Sequence, residues 1–247
     1  VKTSDYRVMV QRRKSDNTLA SAVPYIVKGV AWSPAGQDTT GPEASETDMR
    51  NEIGKWCDID IPLIKNMNAN TIRTFQDFGL TGDTYDKDWR YILDQCYNNG
   101  IMVIMTVDRC IADTDRIRQI VNAYKDHPAI LMWLIGNEWP INNFYGAYAN
   151  FDAAALDLEN AASLIKTLDA NHPVATSVGD LTYPSLNAMK HIIKNRCPSV
   201  DVWGFNLYRG RTFTNLFDQW RDISLEYNKK KPLLITEFGC DAYDINN

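Results

Sequence analysis

Two glutamates with closely similar surroundings are the residues of this sequence best suited to chemistry. Glu138 follows the apolar run Ile130–Ile135, and Glu237 follows the run Pro232–Thr236. An unbroken apolar run of this length is typical of a strand that is buried on both faces. Paired carboxylates break glycosidic bonds: one gives a proton to the leaving oxygen, and the other attacks or activates water. The alternative interpretation is that each glutamate is a solvated loop residue or the partner of an arginine.

Both glutamates belong to a repeating pattern of strands and helices. The pattern predicts strands over 25–32, 70–76, 101–108, 130–137, 173–179, 200–208 and 232–238. Between them, apolar residues recur at helical spacing, as at Ile117, Ile120, Val121 and Tyr124. Such alternation indicates parallel βα units with right-handed crossovers.

Two details of the helices are also predicted. Pro62 indicates a break or a new start near Asp60 in the first helix, because proline disrupts a helix interior. Asp86 is the expected cap of the second helix, which Gly100 ends.

A barrel and a doubly wound open sheet both fit this pattern. No nucleotide-binding glycine motif follows any predicted strand, which argues against the open sheet. Polar or aromatic residues instead end nearly every strand, as the catalytic face of a (β/α)8 TIM barrel requires. They are Trp32, Gln76, Asp108, Glu138, Asp180, Asn206 with Tyr208, and Glu237.

The barrel prediction covers the whole chain, 1–247, as one catalytic domain. A short N-terminal β-hairpin with 6–12 as one arm is expected to cap its bottom. An eighth strand and helix are missing after the seventh strand, so we expect a longer natural protein or a closing strand from elsewhere.

Composition excludes several classes of protein. The formal net charge is −5 and no run of Lys and Arg forms a basic stripe, which argues against a nucleic-acid partner. No apolar stretch reaches the roughly 20 residues that span a bilayer, and no leader is seen. The five scattered cysteines form no disulfide framework or zinc pattern, and the three histidines are interpreted as structural. The sequence predicts no metal and no cofactor.

The two glutamate motifs carry a resemblance to a known group of enzymes. Trp133–Trp139, with the sequence WLIGNEW, and Leu234–Gly239, LITEFG, resemble the fourth- and seventh-strand signatures of clan A retaining glycoside hydrolases. The family 2 barrel domain and the family 72 β-1,3-glucanosyltransferases are the closest likenesses within that clan. Tyr25–Trp32 is similar to their first strand, and Cys57–Phe75 to their first helix and second strand.

The resemblance implies a role for each of five residues. Glu138 would be the acid/base, Glu237 the nucleophile, and Asn137 the partner of the sugar 2-hydroxyl. Arg73 and Tyr208 would hold Glu237 and keep it ionised. The alternatives are a structural ion pair for Arg73 and a packing role at the barrel rim for Tyr208.

Other candidates are the aromatic and polar residues at the strand ends. Trp32, Trp139 and Tyr145 are candidates for stacking on sugar rings, whereas Trp203 is expected inside the barrel wall. Asn206 is a further substrate-binding candidate; the sequence around it, Asn-Leu-Tyr, fits family 2 best. Asp108, Asp180 and Asp241 bind hydroxyls or are solvated loop carboxylates.

The resulting prediction is a retaining β-glycoside hydrolase or transglycosylase that acts on a β-linked glycan, with β-glucan favoured. Its partner is an oligo- or polysaccharide, and the resemblance favours a secreted or periplasmic protein. A non-catalytic carbohydrate-binding protein on the same scaffold is the main alternative. A metal-dependent barrel enzyme is the third, although no strand ends in a lysine base.

Overall fold

Parallel strands alternate with helices along most of the chain. The computed structural model describes residues 1–34, 46–83, 85–108, 113–140, 148, 150–180, 190, 193, 196–210, 212–213, 215–226, 228 and 230–239. Its strands are β1 (Lys2–Ser4), β2 (Arg7–Val10), β3 (Val23–Pro24), β4 (Gly29–Trp32), β5 (Thr71–Thr74), β6 (Met102–Asp108), β7 (Ile130–Asn137), β8 (Val174–Val178), β9 (Val202–Leu207) and β10 (Leu233–Phe238). Its helices are α1 (Glu46–Asn66), α2 (Trp89–Asn98), α3 (Thr114–Tyr124), α4 (Phe151–Leu168) and α5 (Leu216–Glu226).

The seven strands β4 to β10 form one parallel sheet in which chain neighbours are also spatial neighbours. In a flat sheet, β5 and β10 would lie roughly 24 Å apart, at about 4.8 Å for each of five strand intervals. Arg73 of β5 nevertheless contacts Glu237 of β10, so the sheet curls into a barrel wall. This confirms the predicted TIM barrel. Among the described strands, β4 and β10 are the two edges of this sheet, and the seam of the wall lies between them.

The main core lies between the barrel wall and the helices. Helices α2, α3 and α4 bury their apolar faces there, and side chains of Asp88, Asp113 and Asn150 accept hydrogen bonds from backbone N–H groups in their first turns. Asp86 is not the cap that the sequence predicted. Its carboxylate accepts a hydrogen bond from Gly54 N instead, at 2.9 Å, and so ties α1 to the loop before α2.

Helix α1 corrects the prediction that Pro62 causes a break. The helix runs without interruption from Glu46 to Asn66 and has Pro62 in its interior. Its buried face is formed by Ile53, Cys57, Ile61 and Ile64. No described helix is both long and apolar enough to cross a membrane.

A second, smaller core fills the amino-terminal end of the barrel. Strands β1, β2 and β3 form an antiparallel sheet, as the predicted hairpin implied. Val8 and Val10 of β2 pack there against apolar residues near the starts of the barrel strands, including Leu131, Ala175 and Val202. The hairpin therefore caps the bottom of the barrel and leaves the carboxyl ends of the strands for a site.

Candidate active site

Glu237 is held at both carboxylate oxygens. Arg73 Nη1 donates to Glu237 Oε1, and Tyr208 Oη donates to Oε2 at 2.8 Å. The Arg73 side chain is only 4% exposed, and its guanidinium stacks 4.3 Å from the centroid of the Phe75 ring. Strand β5, the residue after β9 and strand β10 thus meet around one carboxylate.

Glu138 is joined to the same cluster by two amides. Arg73 Nη2 donates to Asn137 Oδ1 at 2.6 Å, and Asn206 Nδ2 donates to the same oxygen at 3.3 Å. Asn206 Nδ2 also donates to Glu138 Oε1 at 3.1 Å. A continuous series of hydrogen bonds therefore connects Glu237 to Glu138 through Arg73, Asn137 and Asn206.

Irregular backbone turns both glutamates into the barrel. Consecutive side chains of a strand normally point to opposite faces. The register of β7 against β8 shifts between Ile135 and Asn137, so Gly136 is an extra residue, with φ of +73°. Glu138 has φ of +50°, a left-handed conformation that costs a non-glycine residue about 1–2 kcal/mol. Asn137 and Glu138 can consequently both contact Asn206.

Strand β10 contains a bulge of the same kind. Its register against β9 shifts between Ile235 and Glu237, which makes Thr236 the extra residue. Thr236 then contacts Asn206 while Glu237 contacts Arg73 and Tyr208. Bulges of this kind re-aim side chains next to active sites.

Tyr208 keeps its proton next to Glu237. Burial, the hydrogen bond to Glu237 and the negative charges of Glu237 and Glu138 raise the pKa of Tyr208 to about 12. The phenol therefore stays a donor to Glu237 throughout the physiological pH range. The Arg73 guanidinium is always charged, so both oxygens of Glu237 contact groups that remain donors in this range.

A cavity of about 1510 Å³ follows the seam between β4 and β10. Its walls include both edge strands and the hairpin, and Arg73, Tyr208 and Glu237 line it. Glu237 therefore faces this cavity together with the two residues that donate to it.

The structure does not bring Trp32 and Trp139 to this opening, contrary to the sequence prediction of sugar contact. Trp32 is 5% exposed and donates from Nε1 to Asp60 of α1 at 2.8 Å. Trp139 is 1% exposed, donates to Thr176 at 3.1 Å and packs on Phe151 of α4. Both indoles point outward, into the core between the barrel wall and the helices.

The remaining candidates fall in several places. Trp203 is fully buried in the main core, as the sequence predicted for a residue of the barrel wall. The Asp180 carboxylate accepts hydrogen bonds from Nε and Nη2 of Arg209, which together form a bidentate ion pair. Tyr145, Asp241 and the side chain of Asp108 lie outside the described residues.

Sequence reasoning missed two small residues of the site. The hydroxyls of Ser177 and Thr236 both donate to Asn206 Oδ1, at 2.8 and 2.7 Å. Within β8 and β10 they look like ordinary strand residues, and only the pairing of three neighbouring strands brings them together. Among the described residues, no group of three or more His, Cys, Asp or Glu is arranged to hold a metal ion.

Comparison with known proteins identifies relatives of this arrangement. Residues 50–246 match the family described as "Glycosyl hydrolases family 2, TIM barrel domain". The chain is 23% identical to the 1,3-β-glucanosyltransferase gas4 of Schizosaccharomyces pombe, over 90% of this chain and 49% of that protein. It is 26% identical to the β-glucuronidase of Streptococcus agalactiae, over 74% of this chain and 33% of that protein. The chain thus spans about half, or less, of the length of these relatives.

A solved structure gives the same fold. The family 2 β-galacturonidase of Eisenbergiella tayi, bound to galacturonate, superposes with a TM-score of 0.60 at 20% identity. The match covers 96% of this chain and 40% of that one. At this identity the likeness shows the fold alone.

Proposed function

Since the chain belongs to the TIM barrel domain of glycosyl hydrolases family 2, we propose that it is a retaining β-glycoside hydrolase or transglycosylase. The observation that carries this proposal is that the two carboxylates accept hydrogen bonds from different kinds of donor. Glu237 accepts from a guanidinium and a phenol, whereas Glu138 accepts from a neutral amide. A pair of carboxylates in unlike surroundings is suited to separate nucleophile and acid/base roles.

In the first step, Glu237 attacks the anomeric carbon and forms a glycosyl ester, while the bond from that carbon to the leaving oxygen breaks. Glu138 gives its proton to the leaving oxygen as the bond breaks. In the second step, Glu138 takes a proton from water or from an acceptor hydroxyl, which attacks the anomeric carbon and releases Glu237. Water gives hydrolysis and a sugar hydroxyl gives transfer.

Arg73 positions both the nucleophile and a substrate-binding amide. It holds Glu237 in position and, through Nη2, orients the side-chain amide of Asn137. With Oδ1 of Asn137 accepting from Arg73 and Asn206, its Nδ2 is the end that is suited to donate to the 2-hydroxyl of the bound sugar. Hydrogen bonds to the 2-hydroxyl strengthen in the transition state of such enzymes.

The proposed substrate is a β-linked glycan, with β-glucan favoured. One relative is named a 1,3-β-glucanosyltransferase and another a β-glucuronidase. A screen should therefore include β-1,3-glucan, aryl β-glucosides and aryl β-glucuronides.

The test uses the active aryl β-glycoside from that screen. Glu138→Gln and Glu237→Gln should each nearly abolish turnover, whereas Glu226→Gln, at an exposed residue of α5, should not. Azide should partly restore a Glu138→Ala variant and form the β-glycosyl azide. Full activity in either Gln variant would refute the proposal. Binding of β-glucan without any product over long incubation would instead favour a non-catalytic carbohydrate-binding protein.

A further inference from the structure

Three polar side chains form a triangle next to the carboxylates. Ser177 of β8, Asn206 of β9 and Thr236 of β10 are 0%, 3% and 8% exposed. Ser177 Oγ and Thr236 Oγ1 lie 2.8 and 2.7 Å from Asn206 Oδ1, and 2.8 Å from each other. Two buried hydroxyls, on β8 and β10, thus converge on one amide oxygen of the strand between them.

The acceptor oxygens next to Asn206 Nδ2 fix the orientation of that amide. Asn206 Oδ1 has two lone pairs and can accept from either hydroxyl or from both. Each hydroxyl has one hydrogen, so when one donates to the other, the second donates to Oδ1. The two hydrogens on Nδ2 then point to Glu138 Oε1 and Asn137 Oδ1. With the amide reversed, its oxygen would face these two acceptor oxygens without a hydrogen between them while Glu138 is ionised. The two acceptor oxygens therefore require the NH₂ group on the side of Glu138, and the two hydroxyls hold the amide oxygen on the opposite side.

The neighbouring backbone leaves room for this triangle. A Cβ at Gly204 of β9 would lie 2.5 Å from Thr236 Cγ2 and 2.8 Å from the Thr176 carbonyl oxygen. Those distances are shorter than van der Waals contact, so glycine at 204 allows Thr236 to lie where its hydroxyl reaches Asn206. The packing of β8, β9 and β10 thus supports the same arrangement.

We propose that Ser177 and Thr236 are positioning residues for proton transfer. Their hydroxyls lock Asn206 so that Nδ2 occupies Glu138 Oε1, and the proton that Glu138 delivers resides on Oε2. This inference rests on the proposed function, in which Glu138 is the acid/base. Within the described part of the chain, the charged or titratable groups that the site brings around this carboxylate are Arg73, Glu237 and Tyr208. Glu138 Oε1 accepts its hydrogen bond from Asn206 Nδ2.

The test compares variants that remove or keep the hydroxyls. The double variant Ser177→Ala/Thr236→Val removes both hydroxyls at nearly constant volume. Thr236→Ser keeps a hydroxyl at position 236 and leaves Ser177 unchanged, so both hydroxyls remain. Ser224→Ala on α5 is the matched control, because Ser224 is also fully buried but lies on a helix of the outer layer. Thermal unfolding of each variant verifies that it folds.

The first measurement does not depend on activity. In protein labelled with ¹⁵N-asparagine, the side-chain NH₂ signals of Asn206 are assigned by their loss in Asn206→Asp. We expect these signals to shift, and their hydrogen exchange to accelerate at least about tenfold, in the double variant only. Unchanged signals and exchange in the folded double variant would overturn the proposal.

The second measurement uses leaving groups of different acidity. General acid catalysis contributes about 10²–10⁴-fold, and poor leaving groups require it most. We expect kcat/KM to fall at least about tenfold for a phenyl β-glycoside and less than about threefold for the 2,4-dinitrophenyl β-glycoside of the same sugar. Thr236→Ser and Ser224→Ala should show no such selectivity. Equal losses on both substrates would mean that the hydroxyls are only structural, which contradicts the proposal.

The two measurements separate the inference from the proposed function. If the wild-type protein cleaves no β-glycoside, the proposed function fails, and with it the role in proton transfer. The NMR comparison would still decide whether the hydroxyls fix the Asn206 amide.

Discussion

Replacing Arg73 tests the arrangement of the site most informatively. The residue donates through one nitrogen to Glu237 and through another to Asn137. Lysine keeps the positive charge, but its single ammonium lacks the planar fork that spans two acceptors. Methionine has neither the charge nor the donors. The two substitutions therefore separate charge from geometry.

The structure sets the expected magnitudes. A hydrogen bond to a charged group contributes about 1.5–3 kcal/mol, and about 1.4 kcal/mol corresponds to a factor of ten. Arg73→Lys loses one of its two bonds, so kcat/KM should fall roughly 10- to 150-fold. Arg73→Met loses both, so the fall should be roughly 10²- to 10⁴-fold.

The assay is steady-state hydrolysis of the active aryl β-glycoside, with thermal unfolding as the check on folding. Arg90→Lys is the matched control, because the Arg90 side chain is 60% exposed and pairs only loosely with Asp88 at 3.7 Å. Activity of folded Arg73→Lys above half of the wild-type value would refute the reasoning. Equal losses in the Lys and Met variants would show that geometry alone matters.

Three further predictions follow from individual contacts. Tyr208→Phe removes one donor to Glu237 and should lower kcat/KM about tenfold or more; activity within twofold of wild type would contradict this. Gly136→Ala places a side chain at φ of +73° and should lower the unfolding free energy by about 1 kcal/mol or more. It should also lower kcat/KM, because the bulge at Gly136 orients Glu138. An unchanged denaturant midpoint would contradict this prediction. Asp169 is buried, which raises its pKa, but hydrogen bonds including the one from His172 outweigh burial and lower the pKa. Its ionised form therefore stabilises the fold above the unfolded-state pKa of about 3.9, and this contribution is lost as pH falls through the lower folded pKa. Asp169→Asn should lower the unfolding free energy by about 2 kcal/mol near pH 7 and by less in acid; a difference that grows in acid would be wrong in sign.

The parts of the site that the sequence predicted are those marked by residue type at a strand end. Glu138 and Glu237 follow apolar strands, and Arg73, Asn206 and Tyr208 lie at the ends of others. Parallel strands place their carboxyl ends at one edge, so this pattern implies a cluster without any knowledge of distances.

The parts that were missed depend on local backbone geometry. Whether a strand-end tryptophan points into the barrel or out to the helices is decided by a shift of one residue. Trp32 and Trp139 both fall on the outer side. For Trp139, the residue before it, Glu138, has a left-handed backbone conformation, which re-aims the next side chain.

The triangle around Asn206 could not be predicted for a related reason. Ser177 and Thr236 are separated by 59 positions in the chain. They meet because β8 and β10 flank β9 and because the bulge at Thr236 turns that side chain inward. Likewise, Asp86 and Asp88 are equally good caps by residue type, and the contact of Asp86 with Gly54 of α1 decides between them. The helix that continues through Pro62 goes against the local preference of proline.

Trapping the covalent intermediate tests the central claim most directly. The protein is incubated with the 2,4-dinitrophenyl 2-deoxy-2-fluoro derivative of the β-glycoside that it cleaves, and the peptides are mapped by mass spectrometry. We expect one fluoroglycosyl group per chain, on Glu237, and none in Glu237→Gln. A label on Glu138 or on another residue, or turnover of the parent glycoside to the α-anomer without any adduct, would contradict the account.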